Sequence, residues 1–365
     1  MLERSQRISQ PITNIYLKIE DEILMNVARK LKRDRSLLTP EGFSSWQLLK
    51  LQDLNELNQI NIRTIARNSG MALNEVVALL GDEGYRAIRS VDGQLAEAVR
   101  RGYAVAPPVG QSQAMQNILQ TYANQTRGTF NMVNMSLLQG GEQAYLNIIN
   151  QSAAGVLTGI KTPQQAVREI ARQWADKGIP ALVKNGRNHS VEGYLNTVIR
   201  TTTNSVTNDM QDARMDEHDV DLVEISEHMG ARTKCAPYQG RIFSRSGNST
   251  KYPALASTSM GEPDGLFGFN CRHVKYAYVE GVSIPRPKGI NRAENDKAYK
   301  ESQQQRSIER SIRKAKREER MMKEMGDDEG VKQAKQLVKQ RQSKMRDFIE
   351  DTGRTRRRNR EQLAT

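Results

Sequence analysis

The hydrophobic positions of this chain fall mostly at helical spacing. Ile12, Ile15, Ile19, Ile23 and Val27 keep three- and four-residue steps, which predicts a helix over 11–36 with one apolar face. A break is expected at "LLTPEG". A second helix is predicted from Ser45 to Ile60, with Leu48, Leu51, Leu54 and Leu57 as its stripe and Ser44 or Ser45 as its N-cap. In "IRTIARNSGMALNEVVALLGDEG", two short helices are expected around Ser69-Gly70. An ordinary helical corner is favoured there over a DNA-reading helix-turn-helix, because the second segment carries no Arg or Lys for phosphates. Another helix is predicted over 83–101. "YAVAPPVG", from Tyr103 to Gly110, reads as a Pro-marked linker, and Gln111–Gln139 is polar and helical in spacing.

Thr162-Pro163 is a helix start, with Thr as N-cap and Pro at the first helical position, and that helix should end near Lys177-Gly178. A long amphipathic helix follows over Ser190–Glu217, with Leu195, Val198, Ile199, Thr202, Val206, Met210 and Ala213 facing inward. The period then drops to two. "VDLVEISEH", "GRIFS" and "HVKYAYVEG" read as three strands, with a Gly/Pro/Ser-rich loop from Ser246 to Gly268 between the second and the third. Beyond Asn291 the pattern is helical again. Ile308, Ile312 and Ala315 form one stripe, "GDDEG" interrupts, and Val331, Ala334, Val338, Met345, Phe348 and Ile349 form another. The fold class expected is mostly α with a small α+β core domain. Its parts are a helical N-terminal region (1–160), the α+β core (161–285) and a basic helical C-terminal tail (286–365).

Composition sharpens this picture. Of 365 residues, 37% are hydrophobic and 5% aromatic, lean for a compact enzyme, so elongated helical parts beside a smaller globule are expected. No apolar run reaches the ~18 residues of a membrane span, so no membrane partner is expected. The polar start "MLERSQRISQ" and only two cysteines argue against secretion and for a reducing cytoplasm. The net charge is +13, and its placement is uneven: residues 286–365 hold 24 Lys and Arg against 14 Asp and Glu. This asymmetry points to a polyanionic partner, in competition with a helix laced with ion pairs. The closing "DTGRTRRRNR" is expected to be disordered on its own, with Arg354, Arg356, Arg357, Arg358 and Arg360 as candidate phosphate contacts.

Both cysteines and two of the four histidines sit in "HMGARTKCAPYQGRIFS" and "GFNCRH". His228, Cys235, Cys271 and His273 are a candidate set of four ligands for a structural zinc. The competing reading makes Cys271 a small buried residue and His228 a hydrogen-bonded strand residue, because the spacing lacks a C-x2-C knuckle. A disulfide between Cys235 and Cys271 is less expected in a reducing cell. A cysteine nucleophile would need a base and an orienting group, for which His273 and Asp264 are available on paper but not demanded by spacing. "STS" at Ser257–Ser259 lacks the later acidic pair an ADP-ribosyltransferase requires. Arg232 and Arg241 are expected to pair with Glu224, Glu227 or Asp264, and Arg200 to anchor the sheet.

The order of these stretches resembles a known family. "VIRTTTN", "ARMDEHDVDLVEISEHMGARTKCAPYQGRIFS", "DGLFGFNCRHVKYAYVEGVS" and "QQQRSIERSIRKAKRE" are similar to the phage minor capsid protein family of type two, related in role to the Mu F-like head proteins. The resemblance is detailed from about Leu195 to Gln362. It implies a non-enzymatic structural protein of a tailed phage, built in few copies into the head near the portal, with portal, capsid or scaffold proteins and packaged double-stranded DNA as partners. The chain departs from the family pattern in carrying Cys235 where His is frequent, Tyr238 where Trp is frequent and Phe267 where Cys is frequent. A nucleic-acid-binding packaging protein is the alternative, and a cysteine-dependent or zinc enzyme the third reading.

Overall fold

The computed structural model describes residues 2–105, 112–184, 187–286 and 289–364, with the side chains of residues 2–7 and Lys184 excepted. Most of the linker expected over Tyr103–Gly110 therefore lies outside the described residues. Among those described there are eight α-helices and five short strands, the mostly-α fold with a small α+β region that the periodicity announces. The helices are α1 (Leu2–Lys32), α2 (Phe43–Gln52), α3 (Leu54–Arg100), α4 (Gln113–Leu157), α5 (Pro163–Lys177), α6 (Val191–Glu217), α7 (Arg292–Met325) and α8 (Asp328–Thr352). The strands are β1 (Pro180–Lys184), β2 (Arg187–Ser190), β3 (Leu222–Ile225), β4 (Ile242–Ser244) and β5 (Lys275–Ala277).

The chain divides into two compact units, each drawn from three stretches. The first comprises Met1–Pro11, Leu73–Thr129 and Leu195–Ser302; the second comprises Ile12–Ala72, Phe130–Tyr194 and Gln303–Thr365.

In the first unit the three predicted strands form one antiparallel sheet in the order β4-β3-β5. Strands of three and four residues cannot close a core alone. They are backed by Val91 and Leu95 of α3 and Met215 of α6, around Val223, Ile225, Phe243 and Ala277. Gln94 of α3 accepts a hydrogen bond from the backbone N–H of Ala277 at 2.8 Å, satisfying a β5 donor. A neighbouring cluster joins α3, α4 and α6 through Leu80, Ile88, Met115, Val206 and Met210. Gly84 is the point of close approach: a Cβ there would meet Val206, Leu119 and Met210 at 3.2–3.4 Å.

The second unit packs the apolar face of α1. Ile19, Ile23 and Val27 are fully buried, and Tyr16 meets Phe130 edge-on at 5.2 Å. The capping box at the start of α5 is complete: Thr162 Oγ1 accepts from the N–H of Gln165, and Gln165 Oε1 accepts from the N–H of Thr162. α7 and α8 pack through Ile308, Ile312, Met345 and Phe348. Asp327, N-cap of α8, accepts from Gly330 N–H and pairs bidentately with Arg168 at 2.5 and 2.7 Å. Hairpin β1–β2 was not anticipated.

Four expectations are corrected. There is neither a helix-turn-helix nor a corner at Ser69-Gly70: α3 runs unbroken for 47 residues. Buried Ile65, Asn68, Ala72, Val76 and Leu80 keep helical spacing straight through it, so packing outweighs the ~1 kcal/mol that an interior glycine costs. α1 starts well before residue 11, with Pro11 inside it, and ends at Lys32, where Asp34 turns left-handed at φ 57°. α2 starts at Phe43 behind Gly42, not at a serine cap. Its inner face is Phe43, Trp46 and Lys50; Leu48 and Leu51 are exposed, because the chain breaks at Asp53 and the stripe does not continue into α3.

Candidate functional site

The register of the sheet assembles the thiol–imidazole cluster. Beyond the Ile225–Lys275 pair, Ser226 N–H donates to the Val274 carbonyl and Val274 N–H donates to Ser226 Oγ, both at 3.0 Å. His228, past the end of β3, and His273, just before β5, are thereby brought together. Their rings stack with centroids 4.4 Å apart.

Cys235 arrives on the single 3-10 turn Ala236–Tyr238, for which it is the N-cap. Cys271 arrives on the glycine-rich loop. A Cβ on Gly268 would meet the carbonyl oxygens of Glu262 and Pro263 at 2.6 Å, so only glycine closes this turn. Asn270, left-handed at φ 57°, fixes the loop to α6 through hydrogen bonds to Thr197 and Thr201. Leu266 N–H donates to Ser259 Oγ, which in turn donates to the Lys234 carbonyl, so the "STS" serine is a tie between loops.

Donor atoms of Cys235, Cys271 and His273 lie within 4.8 Å of one another, and all three residues are buried. Cys271 Sγ is 3.3 Å from His273 Nδ1. Gln239 orients both histidines. Its Oε1 accepts from the backbone N–H of His228 at 2.7 Å, so it also accepts from His273 Nε2 at 3.2 Å. That leaves His273 Nδ1 facing the thiols. The hydrogen bond with Cys235, aided by His273, draws the Cys271 thiol below the usual thiol range, and the same bond, with burial, pushes Cys235 up. Burial, then the nearby His273, lowers His228 to about 4, so it is neutral at pH 7. Gln239 is the member that the sequence reading missed; nothing in "PYQGR" marks it.

The remaining sequence candidates fall elsewhere. Asp264 pairs with Lys234 at 2.7 Å and lies at the exposed surface. Arg232 donates to the Phe269 carbonyl, and Arg241 lies over the Phe243 ring. Arg200 donates to Ser9 Oγ and lines, with Cys271, Arg272 and Tyr276, a cavity of about 260 Å³.

The terminal arginines are built into the second unit rather than free. Arg356 grips the buried carboxylate of Glu361 with hydrogen bonds of 2.7 and 2.6 Å. Arg354 donates to Gln305, and Arg360 lies 4.0 Å from buried Glu309. Arg357 is half-buried and Arg358 exposed. The disorder expected of this stretch gives way to an ordered return along α7, because two buried carboxylates draw the guanidinium groups in. A cleaner basic surface lies on α8, where Lys332, Lys335, Lys339 and Arg346 are all exposed. At 100° per residue they fall within about 60° of one another, on a face roughly 110° round the helix from buried Ala334, Val338 and Met345.

Long helices and a small sheet carry the thiol–imidazole cluster, and the relatives found are structural proteins. The chain is 30% identical over 356 residues to a structural protein of Lactococcus phage LL-H, covering 93% of this chain and 95% of the relative. It is 34% identical over 115 residues to a structural protein of Lactococcus phage mv4, covering 31% of this chain and 94% of that relative. No solved structure matches. The phage minor capsid protein 2 model matches residues 3–350, and the chain belongs to that family. It is a phage structural protein, a component of the virion. The match takes in the N-terminal helices as well as the stretch from Leu195. No helix among the described residues is long and apolar enough to cross a membrane.

Proposed function

We propose that this minor capsid protein sits inside the head near the portal, contacts packaged double-stranded DNA without reading its sequence, and serves assembly rather than catalysis. The observation that carries the DNA contact is the α8 face of Lys332, Lys335, Lys339 and Arg346. Its charges are regularly spaced and exposed, and no aromatic side chain lies among them to stack on bases. Docking to portal, capsid or scaffold proteins is assigned to exposed Leu48 and Leu51 on α2, one turn apart on one side of the helix. A purely nucleic-acid-binding packaging role is the second reading, favoured by the excess of 24 basic over 14 acidic residues in 286–365.

Affinity of the full chain for random duplexes, measured against salt, tests the DNA contact. Each phosphate neutralised adds about 0.9 to the log–log slope, so changing the four α8 cations to Gln should lower the slope by roughly 3–4. An unchanged slope with a folded variant refutes the contact. Leu48→Asp with Leu51→Asp should abolish co-sedimentation with portal rings and leave DNA affinity intact. A wild-type chain that binds DNA but does not co-sediment with portal rings favours the second reading.

A further inference from the structure

We propose that His228, Cys235, Cys271 and His273 bind one zinc ion, which clamps the loop after β3, the 3-10 turn at Ala236 and the loop before β5 to one another. Nothing in the family description or in the relatives' descriptions assigns a metal to this chain.

The donor chemistry is the first support. Two thiols and two imidazoles are the ligand set zinc favours, and soft sulfur selects against calcium and magnesium. Geometry is the second. Zinc bonds of ~2.3 Å to sulfur and ~2.0 Å to nitrogen at tetrahedral angles put neighbouring donors roughly 3.3–3.8 Å apart. Cys271 Sγ and His273 Nδ1 already stand at 3.3 Å, with Cys235 completing a triplet within 4.8 Å. One pair therefore stands at a working separation with a third donor close by, held by elements that are themselves fixed by Asn270, Gln239 and the sheet register.

Protonation is the third. The Gln239 oxygen can only accept, so His273 carries its proton on Nε2 and turns Nδ1 toward the thiols. A metal-ligating histidine has this arrangement, with its second nitrogen tied to an oxygen that fixes tautomer and ring orientation. The fourth observation concerns His228. Its Nδ1 faces the Met229 carbonyl at 3.3 Å and so carries the hydrogen. Its Nε2 is then the bare nitrogen, and it is buried without a hydrogen-bond partner. A buried acceptor left unpaired costs about 1–3 kcal/mol, which a metal bond would offset. The ring lies against that of His273, one of the three converging donors, so a small turn of the ring is what its entry as fourth ligand requires. Cys235, Cys271 and His273 are buried, as the ligands of a structural site are.

The chemistry balances simply: the thiols of Cys235 and Cys271 give two protons to solvent on binding, both imidazoles enter neutral, and the +2 ion is neutralised by two thiolates. A metal so placed would staple a sheet whose three strands number four, three and three residues, too small to be stable by burial alone.

The test is elemental analysis of the full chain purified under reducing conditions without chelator. One zinc per chain is expected, absent from a Cys235→Ser, Cys271→Ser double variant and retained by a His189→Ala control. Cobalt exchanged into wild type should give a tetrahedral spectrum with thiolate-to-metal charge transfer. His228→Ala should lower zinc affinity by at least about tenfold, the loss seen even for groups one step removed from a metal. If the cysteine variant does not fold, wild type alone decides, since zinc release to a competing chelator can be followed with the thiols titrated alongside. Wild type without zinc that also fails to take up cobalt overturns the proposal. So does a Cys235–Cys271 disulfide in the reduced preparation, or equal zinc in the folded double variant. An adequate affinity unchanged in His228→Ala overturns the four-ligand assignment.

Discussion

Arg317 shows how single residues hold the second unit. Its guanidinium reaches Asp21 Oδ1 at 2.6 Å and Glu20 Oε2 at 3.0 Å, with all three side chains buried. Burial makes such a triad a weak source of net stability but a costly one to break. Arg317→Ala leaves two carboxylates without their cation and is expected to cost about 3–5 kcal/mol in denaturant unfolding. Glu20 also accepts from Ile179 N–H, yet burial outweighs its partners and raises its pKa from 4.5 to about 7. The folded state therefore holds the proton more tightly than the unfolded chain. The Glu20 contribution is fully present below pH 4.5 and declines as pH rises towards about 7. Glu20→Gln should flatten the melting temperature over that interval; a wild-type curve already flat there would contradict the assignment. None of this triad was legible in the sequence, because Glu20 and Arg317 are separated by 297 positions and both look like ordinary helix-surface charges. His228, Cys235, Cys271 and His273 were legible as neighbours, since four residues of two rare types fell within two short stretches. Gln239 was not, because glutamine is common and its role depends on the turn that presents it.

At the scale of elements, the helical period succeeded at two sharply punctuated points. Thr162-Pro163 starts α5, and the "GDDEG" interruption separates α7 from α8. It failed where glycines sit in helices for different reasons. A Cβ on Gly70 meets nothing, whereas one on Gly84 meets side chains from α4 and α6. Gly70→Ala should therefore stabilise the protein by about 0.5–1 kcal/mol through the unfolded chain. Gly84→Val should destabilise it by about 1–3 kcal/mol by forcing the three helices apart. Opposite signs in chemical denaturation check the continuous α3; a Gly70→Ala loss would restore the corner expected at Ser69-Gly70. Hairpin β1–β2 had a signal that went unread, Asn185-Gly186 between two short runs, though those two residues lie outside the described ones. The terminal arginines illustrate the opposite error. Charge density suggested a solvated arm; instead Glu361 grips Arg356 within the segment, and Gln305 and Glu309 of α7 hold Arg354 and Arg360. Glu361→Ala should release this segment, seen as faster amide exchange over 354–364 without loss of global stability greater than about 1–2 kcal/mol.

For the whole molecule, the unequal distribution of charge was the clearest property of the sequence, and the family resemblance gave it a setting. The structure ties several terminal arginines to side chains of the second unit and leaves Lys332, Lys335, Lys339 and Arg346 of α8 exposed, while the membership over residues 3–350 establishes a virion component. The division into two units, each built from three distant stretches, has no local signature, since pairing between far segments is decided by packing rather than periodicity. The central claim is a position inside the head near the portal. It is tested most directly by quantitative mass spectrometry of purified heads assembled with and without portal protein, each treated with protease before and after being opened. The account expects a few copies per head with portal, protected until the shell is opened, and depletion when portal is omitted. A chain digested from intact heads, or present equally in portal-free heads, would contradict it.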